Sequence, residues 1–577
     1  MKLSKTGRTG GGELLALLVL GCLMFNLPVC AATTRYVVPP GTAGVTPTTP
    51  YTSWETAATS IADAIAASSA SGGGEGTGDT ILVAPGTYNI SSMIVANKRR
   101  LTIKSMNRLT GQEDPENTVI DGGGATSILK LEAAFSSVSG FTFANGCKEL
   151  SAYANNQGNA AVWMGNHYGS VSNCIFRGNK AVNMSGGCII APNPDWTPVV
   201  SGCIFTNNTI EVTSSDTLCG GVIRLQADSD HPPARIENCR FIDNHSKAKK
   251  ICGGVVYAPY AALDNCLFSE NTFTNAETES SAKVTSYGGY VFLGNAGSMA
   301  GRCSMTNCRF TGRAIDTEDD DTILGTMVRI NCPECIASNC TFDAIEENVG
   351  DSVQGMVNVG AHSAKLVGCK FTGGTHVRST NSGGSSLVLI GGGITNVTFR
   401  NCLFSDNVMQ GRFYAIKQYQ TKLPTTGFTI ENCTFANNTV GQTISGETSS
   451  TCTNYIVNSV FTSTLYLSAP GVVSNCCLAS HSVNAKISYG DFLPSEVGGD
   501  LKFVDAVNGD YHLRRKSPLR EKGMLLDWMT ADAIDLDGKS RVVSFYGIPY
   551  SRDPSALPDI GCYEQQDMPP GFIIVVK

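Results

Sequence analysis

Charged residues are scarce in this chain of 577 residues, at 16% of the sequence against a usual share of about 25%. The formal net charge is −7, so the chain has no excess of positive charge with which to bind nucleic acid. Apolar residues make up 42%, which excludes a chain that is disordered by composition. A length of 577 residues would suit three or four globular domains, but a repeated motif favours one elongated solenoid.

Long apolar runs are also missing, apart from one near the N-terminus. Residues 1–31 begin with positive side chains, continue with an apolar stretch over 14–24, and end in small residues before a predicted cleavage after Ala31. This order is typical of a secretory signal peptide, and Cys22 offers the alternative of a lipoprotein signal. The stretch is short for a membrane anchor. We predict a protein secreted from a bacterium or held at its surface, with no transmembrane segment in the mature chain.

One motif, Asn-Cys-x-Phe, recurs along the chain, and its cysteines lie 27 to 42 residues apart with a centre near thirty. Cysteine and phenylalanine are two residues apart, so both point to the same face of a strand, whereas the variable residue between them faces solvent. Asparagine suits the turn before the strand, because it tolerates the left-handed conformation. The pattern predicts two inward-facing columns, formed by Cys174, Cys203, Cys239, Cys266, Cys308, Cys340, Cys369, Cys402 and Cys433, and by Phe176, Phe205, Phe241, Phe268, Phe310, Phe342, Phe371, Phe404 and Phe435.

A second apolar strand follows many of the repeats, as at 221–223 and 254–256, and no helical pattern separates one repeat from the next. Short strands joined by polar turns predict an all-β solenoid of parallel strands, with about a dozen coils that bury their inner faces by stacking. We assign 32–99 to an N-terminal cap and first coil, 100–484 to the repeats, and 485–577 to the last coils and a C-terminal cap.

The N-terminal cap contains a helical pattern. Thr52 and Glu55 are spaced as in a capping box, and Trp54, Ile61 and Ile65 belong to an apolar stripe at helical spacing. We predict a short amphipathic helix that covers the open edge of the first coil.

Twenty cysteines remain once residues 1–31 are removed. Equivalent cysteines in adjacent coils would have parallel side chains about 4.8 Å apart, beyond the roughly 3.5–4.5 Å that a disulfide requires. We therefore predict that the cysteines of the motif are buried free thiols. Cys332 and Cys335, with Cys303 nearby, are open to two interpretations: a zinc or redox pair, or a local disulfide or ordinary thiols at a turn. The redox state of Cys477 also stays open.

The run at 78–88, Gly-Asp-Thr-Ile-Leu-Val-Ala-Pro-Gly-Thr-Tyr, resembles the first coil of the pectin-lyase-like superfamily. That resemblance implies a right-handed parallel β-helix, a fold shared by polysaccharide lyases and by non-enzymatic relatives.

Two further motifs resemble other families. Phe-x-x-Asn followed by Gly-Gly and an apolar residue, as at 176–189 and 205–223, is similar to the repeats of polymorphic outer membrane protein adhesins. The C-terminal order of motifs at 503–513, 535–541 and 559–564 is similar to the choice-of-anchor Q proteins, which are secreted bacterial β-helix proteins. Both resemblances imply a surface protein.

A β-helix lyase needs carboxylates for a cation such as calcium, a base, and positive groups that neutralise the substrate carboxylate. Arg412 and Lys417 flank a strand-like segment and are candidate catalytic bases. Arg224 and Arg329, which end second strands, are further candidates for a base or for a group that binds the sugar carboxylate. Each is also explained as an outward-facing charge. An acidic run offers calcium ligands, or a solvated loop, at Asp316, Glu318, Asp319, Asp320 and Asp321.

Aromatic residues near the second strands are candidates for stacking on sugar rings, or else pack in the protein: Trp163, Trp196, Tyr257 and Tyr260. We expect a monomeric, secreted or surface-attached β-helix that binds an extracellular polysaccharide or a surface partner along the rod and is not catalytic. The alternative is a lyase or hydrolase of an acidic polysaccharide. No cofactor is expected, although calcium is compatible with the acidic run.

Overall fold

The computed structural model of the chain describes residues 32–69, 78–154, 158–165, 169–193, 197–214, 216–227, 230–275, 285–294, 301–317, 322–349, 353–360, 363–378, 385–391, 394, 396–409, 413–418, 427–439, 444–445, 453–467, 471–483, 487–489, 500–544, 548–549 and 555–566. These residues form an almost all-β, right-handed parallel β-helix, as predicted. Each coil adds one strand to every stack that it enters, and each strand pairs with its equivalent in the next coil.

Sheet 1 has sixteen parallel strands along one face of the rod. Its strands are Thr34–Val37, Thr80–Val83, Thr102–Ser105, Ser137–Ser139, Ser170–Ser172, Val199–Ser201, Ala234–Glu237, Ala261–Asp264, Arg302–Thr306, Glu334–Ser338, Ser363–Val367, Asn396–Arg400, Phe428–Glu431, Asn454–Val457, Gly471–Ser474 and Ile487–Tyr489.

Sheet 2 has three columns of strands, which we name 2a, 2b and 2c. Column 2a follows the Asn-Cys turn and contains Gly86–Asn89, Thr118–Asp121, Thr142–Ala144, Ile175–Arg177, Ile204–Thr206, Arg240–Ile242, Leu267–Ser269, Arg309–Thr317, Thr341–Val349, Lys370–Thr372, Leu403–Ser405, Thr434–Ala436, Val460–Leu467 and Cys477–Val483. Column 2b contains Cys147–Ala154, Lys180–Met184, Thr209–Glu211, His245–Ala248, Thr272–Asn275, Thr375–Arg378 and Val408–Met409, together with the second halves of the two long strands at 309–317 and 341–349.

Column 2c contains Ile94–Ala96, Leu129–Leu131, Val162–Met164, Ile189–Ala191, Ile223–Leu225, Val256–Ala258, Val291–Gly294, Val328–Asn331, Val357–Val359, Ser385–Ile390, Phe413–Gln418 and Ile444–Ser445. Beside it lies sheet 3, with five short strands: Thr217–Cys219, Lys250–Cys252, Thr285–Tyr287, Thr322–Leu324 and Val353–Gln354.

The phenylalanines of the motif form a continuous stack through the core. Neighbouring rings from Phe143 to Phe461 have centroids 4.6–5.1 Å apart, and from Phe176 onward their planes lie within 10° of each other. The parallel register imposes this geometry, because Phe176 pairs directly with Phe205 in the next coil. Each buried ring contributes roughly 1.5–3 kcal/mol by its removal from water.

The cysteines of the motif are buried free thiols, as predicted. The thiol of Cys203, for example, donates to the carbonyls of Ser201 and Val171, at 3.3 and 3.7 Å. Cys303, Cys332, Cys335 and Cys477 are also free and buried, so the structure holds ordinary thiols at these positions rather than a disulfide.

The N-terminal helix spans Ile61–Ala67 and buries Ile61 and Ile65, which confirms a short capping helix. Its predicted start at the Thr52 capping box is wrong. Ser60 supplies the cap instead, because its side chain accepts from the backbone N–H of Asp63 immediately before the apolar stripe. Trp54 lies outside the helix and packs on Tyr36, with ring centroids 4.6 Å apart.

The last described residues, 500–544, 548–549 and 555–566, are named here the C-terminal module. It contains an antiparallel pair, Phe503–Asp505 and Asp510–Leu513, joined by a short 3-10 helix at Ala506–Asn508. The module packs along the side of the last coils. The turn asparagines of four successive coils donate to its backbone: Asn401 to Ile534, Asn432 to Asp559, Asn458 to Met524 and Asn475 to Lys522.

Candidate functional site

In each coil, three consecutive residues of column 2c alternate in direction: the first and third point into the core, and the middle residue points outward. In register from coil to coil, the outward residues are Lys130, Trp163, Ile190, Arg224, Tyr257, Phe292, Arg329, Asn358, Leu389 and Lys417. Several of them are nevertheless buried.

A glycine pair joins each of the first three strands of sheet 3 to the following strand of column 2c, and a single glycine, Gly325 or Gly355, follows each of the last two. Gly253 shows why glycine is required: its φ is +66°, and an added Cβ would lie 2.1 Å from the carbonyl oxygen of Val256. Gly220 and Gly288 adopt the same left-handed conformation. The sharp turn brings the last residue of each sheet 3 strand beside the outward residues of column 2c.

The two strand stacks together assemble a cluster of cations and aromatic rings, which we name the cation–aromatic cluster. The Arg224 guanidinium lies 5.1 Å from the centroid of the Tyr257 ring, and the Arg329 guanidinium lies 5.2 Å from that of Tyr287. Phe292 sits between the tyrosines, 5.5 Å from Tyr257 and 6.1 Å from Tyr287 between ring centroids. The Lys250 ammonium lies over the Tyr287 ring, 5.9 Å from its centroid.

These cations lack acidic partners within the described part of the chain. Arg224 is only 4% exposed, and its Nε and Nη1 atoms are buried without a hydrogen-bond partner. Arg329 donates to the side chain of Asn358, and its Nε is likewise buried and unpartnered. Burial lowers the pKa of the Arg329 guanidinium. An unpaired cation that is buried, as Arg224 is, is costly, so this arrangement favours the binding of an anion.

The chemistry of the cluster suits a carboxylate attached to a sugar. Guanidinium groups bind carboxylates through paired N–H donors, and the ammonium group of Lys250 adds a compact positive charge. The tyrosine rings stabilise the cations before a ligand arrives. No described group of three or more His, Cys, Asp or Glu side chains is placed to hold a metal ion.

Lys417, a predicted base, lies on the outward column three coils beyond Arg329, and its ammonium is 5.7 Å from the centroid of the Tyr414 ring. Arg412, the second predicted base, lies outside the described residues. The structure therefore does not show the two candidates together. Arg224 and Arg329, by contrast, belong to one cluster.

The predicted calcium ligands are mostly outside the described residues. The backbone of Asp316 lies in column 2b, in register with Thr274 and Asn348. Glu318, Asp319, Asp320 and Asp321 are not described, so calcium binding by this run stays a prediction.

The four predicted sugar-stacking residues have different positions. Trp163 is half-buried, with the Lys130 ammonium 4.6 Å from its ring centroid. Tyr257 is buried in the cation–aromatic cluster, and Tyr260 is partly buried against the core. Trp196 lies outside the described residues. Stacking of a sugar on these rings stays a prediction.

Sequence reasoning missed Lys250 and Tyr287, because sheet 3 has no alternating apolar pattern of its own. One signal was present: Cys219, Cys252 and Tyr287 each stand immediately before a Gly-Gly pair. Spacing from those glycines would have aligned the three residues.

Comparison with known proteins gives a partial family match. A family model described as disaggregatase related matches residues 375–537, which is less than half of the chain. No curated protein sequence shows significant similarity. These comparisons do not show a similarity to choice-of-anchor Q or polymorphic outer membrane proteins, and those resemblances remain interpretations of the motifs.

Solved β-helix structures resemble the chain at low identity. The pectate lyase Pel9A is 13% identical, with a TM-score of 0.26, and the alignment covers 93% of this chain and 98% of that one. The alginate lyase AlyF-OU02, in complex with G6, is 10% identical, with a TM-score of 0.30 and coverage of 72% and 79%. The A-module of the Azotobacter vinelandii mannuronan C-5 epimerase AlgE6 is 12% identical, with a TM-score of 0.28 and coverage of 68% and 94%. These values carry no conclusion about activity.

Among the described residues, no helix has the length and apolar character needed to cross a membrane.

Proposed function

We propose that this protein is a secreted or surface-held, monomeric β-helix that binds an acidic polysaccharide along the rod without cleaving it. The observation that supports the proposal is the cation–aromatic cluster: Arg224, Lys250 and Arg329 come from three different coils and have no acidic partner in the described part of the chain. A signal peptide over 1–31 would deliver the protein to the polysaccharide.

The spacing of the cluster suits a polymer with repeated carboxylates. Arg224 and Arg329 are separated by three coil steps along column 2c. At about 4.8 Å per step, their backbones are roughly 14 Å apart. A single extended chain of uronate sugars can therefore contact both guanidinium groups, whereas an isolated monosaccharide can contact only one.

The test measures binding of the purified chain to polygalacturonate, to alginate and to an uncharged polysaccharide. We expect binding to the acidic polymers that weakens as salt is added, because charges supply the affinity. Arg224→Gln and Arg329→Gln should each weaken binding about 10- to 100-fold, the value of a lost charge-assisted hydrogen bond. The matched control is Lys365→Gln, an exposed lysine on sheet 1, which should leave binding unchanged. Equal effects of all three substitutions would refute the proposed site.

A second function, cleavage by β-elimination, is favoured by one observation. That observation is the convergence of three cations from different coils, of which Arg224 and Lys250 can neutralise a uronate carboxylate while Arg329, whose pKa is lowered by burial, is the candidate base. The same polymers are incubated with the protein, with and without calcium, and the absorbance of unsaturated uronate products is followed. A rise in absorbance that Arg329→Gln abolishes would establish the lyase and overturn the non-catalytic proposal.

A further inference from the structure

Two turns near the N-terminal end of the rod carry cations that do not belong to the cation–aromatic cluster. Each turn joins a strand of column 2c to the next strand of sheet 1, the first over residues 97–101 and the second over residues 132–136. The turns lie in adjacent coils, because Thr102 and Ser137, which follow them, are in register on sheet 1. We name them together the N-terminal turn pair.

The side chains of the turn pair are arranged around one aromatic ring. The guanidinium carbons of Arg99 and Arg100 lie 5.5 and 5.2 Å from the centroid of the Phe135 ring. Phe135 is 38% exposed, so the two cations gather where the ring reaches the surface. Arg99 is exposed and forms no ion pair with any residue that the structure describes. The ring attracts both cations and thereby holds two like charges close together, with N–H donors that can bind a carboxylate.

The backbone of the turn pair adopts a conformation that large side chains rarely take. Arg100 has a φ of +60° and Phe135 a φ of +61°, in the left-handed region that favours glycine. Two hydrogen bonds hold the turns in place: the backbone N–H of Arg100 donates to the carbonyl of Ala134 at 2.9 Å, and the Ser136 hydroxyl donates to the carbonyl of Lys98 at 3.1 Å. Strain of this kind is concentrated at ligand-binding sites, where it fixes side chains before the ligand arrives.

Positive charge dominates the turn pair. The first turn contains Lys98, Arg99 and Arg100 and no carboxylate. In the second turn Glu132 is the only carboxylate, and the Lys130 ammonium lies 2.8 Å from it. An anionic ligand can therefore neutralise an excess of positive charge at this surface.

We propose that the N-terminal turn pair is a second binding site for the acidic polysaccharide, in which Arg99 and Arg100 bind a sugar carboxylate and Phe135 holds the two guanidinium groups in position. The inference rests on the proposed function, because it assigns a second contact to the same polymer. Column 2c connects the two sites, since Lys130, beside the turn pair, is three coil steps from Arg224.

Two sites on one rod select a long ligand. From Val95, beside the first turn, to Arg329 there are seven coil steps along column 2c, or about 34 Å at 4.8 Å per step. An oligogalacturonate of twelve sugars can contact both sites at once, whereas trigalacturonate can occupy only one of them at a time. The second contact of the long ligand is intramolecular, so the long ligand should bind more tightly than the short one.

The test titrates the purified chain with each oligogalacturonate in a calorimeter. We expect two trigalacturonate sites per chain and tighter binding of the twelve-sugar ligand. Arg99→Gln should remove one trigalacturonate site and weaken binding of the twelve-sugar ligand about 10-fold or more. The matched control is Arg108→Gln, because the Arg108 guanidinium also lies over an aromatic ring, 5.1 Å from the Trp54 centroid, but outside the turn pair. This control should change neither value.

A glycine substitution separates ligand binding from a merely structural role. Phe135→Gly removes the ring and suits the left-handed backbone, so it should weaken binding of the twelve-sugar ligand without lowering the midpoint of thermal unfolding. Unchanged binding together with a lower midpoint would show that the ring serves only the fold, and would overturn the proposal.

The variants also separate this proposal from the proposed function. Weaker binding in Arg224→Gln, with full affinity in Arg99→Gln and Phe135→Gly, would overturn the second site and leave the proposed function standing. Weaker binding in Arg99→Gln and Phe135→Gly, with full affinity in Arg224→Gln, would support the turn pair and refute the cation–aromatic cluster as a site. If the unsubstituted chain binds neither oligogalacturonate, both proposals are wrong.

Discussion

Asparagine recurs at two positions in many of the repeats, and the two positions have different structural roles. The asparagine before the motif cysteine, such as Asn238, is exposed in the early coils and turns the chain with φ near +50°. The asparagine three residues after the phenylalanine, such as Asn208, is buried. Asn208 donates to the carbonyl of Phe176 and to the side chain of Asn244, at 3.0 and 2.8 Å, and accepts from Asn179. The Phe-x-x-Asn motif is therefore explained by the corner between columns 2a and 2b.

Replacement of the buried asparagine should lower the free energy of unfolding far more than replacement of the exposed one. Asn208→Ala removes the side-chain donor to the buried Phe176 carbonyl and the acceptor of the buried Asn179 backbone N–H, so we expect a loss of about 2–4 kcal/mol in the free energy of unfolding. Asn238→Gly keeps the left-handed turn and should change it by less than about 0.5 kcal/mol. Urea denaturation followed by circular dichroism measures both. Similar losses in the two variants would show that the buried ladder is not the source of stability.

At the scale of elements, the C-terminal module contains a buried hydrogen-bond network of one arginine and several carboxyl groups. The Arg541 guanidinium is fully buried, donates to the carbonyls of Asp559 and Gly561, and lies 3.9 Å from the Glu564 carboxylate. Asp535 accepts three backbone N–H groups, from Asp537, Lys539 and Glu564. The motifs that resemble choice-of-anchor Q proteins thus supply the internal frame of this module.

The module should be more stable at pH 5 than at pH 8. Burial raises the pKa of Asp559 to about 6 and also raises the pKa values of Asp535 and Glu564. A carboxyl whose pKa is raised on folding contributes stability in its protonated form, and this contribution is lost as the pH rises through its folded value. For Asp559 alone the difference between pH 5 and pH 8 is about 1.4 kcal/mol.

Hydrogen exchange of peptides from 500–566, measured at both pH values and corrected for intrinsic exchange rates, tests this expectation. Asp559→Asn serves as the control, because it removes one of the three titrating groups and should reduce the pH dependence by the share that Asp559 contributes. Protection that is equal at pH 5 and pH 8, or greater at pH 8, would contradict the argument.

At the scale of the whole molecule, the rod is a stack in which each coil contacts only its neighbours. Destabilisation of one coil should therefore affect the adjacent coils and leave distant coils unchanged. The C-terminal module covers the turn asparagines of the last four coils and packs on apolar residues there, including Leu403 and Val460. A chain that ends at residue 499 should therefore exchange amide hydrogens faster in coils after 396, with those between 170 and 345 unchanged. Uniformly faster exchange along the rod would show that the coils unfold as one cooperative unit.

The sequence by itself determined the solenoid, its inward columns of cysteine and phenylalanine, and the free state of the buried thiols. These follow from a period of two within strands and a repeat near thirty, because local spacing decides which side chains share a face. The helix at Ile61–Ala67 was predicted from its apolar stripe, but its start was misplaced at Thr52, because the side chain of Ser60 caps the helix immediately before that stripe.

Only the tertiary structure decided which charges meet. Arg224, Lys250 and Arg329 are separated by 26 and 79 residues along the chain, and no local pattern relates them. They converge because insertions of different length leave the register of column 2c unchanged, while the Gly-Gly turns fold sheet 3 against it. Stacking of the coils brings residues that are distant along the chain next to each other. The sequence predicts the coils, but it does not predict which outward-facing residues of different coils lie in register.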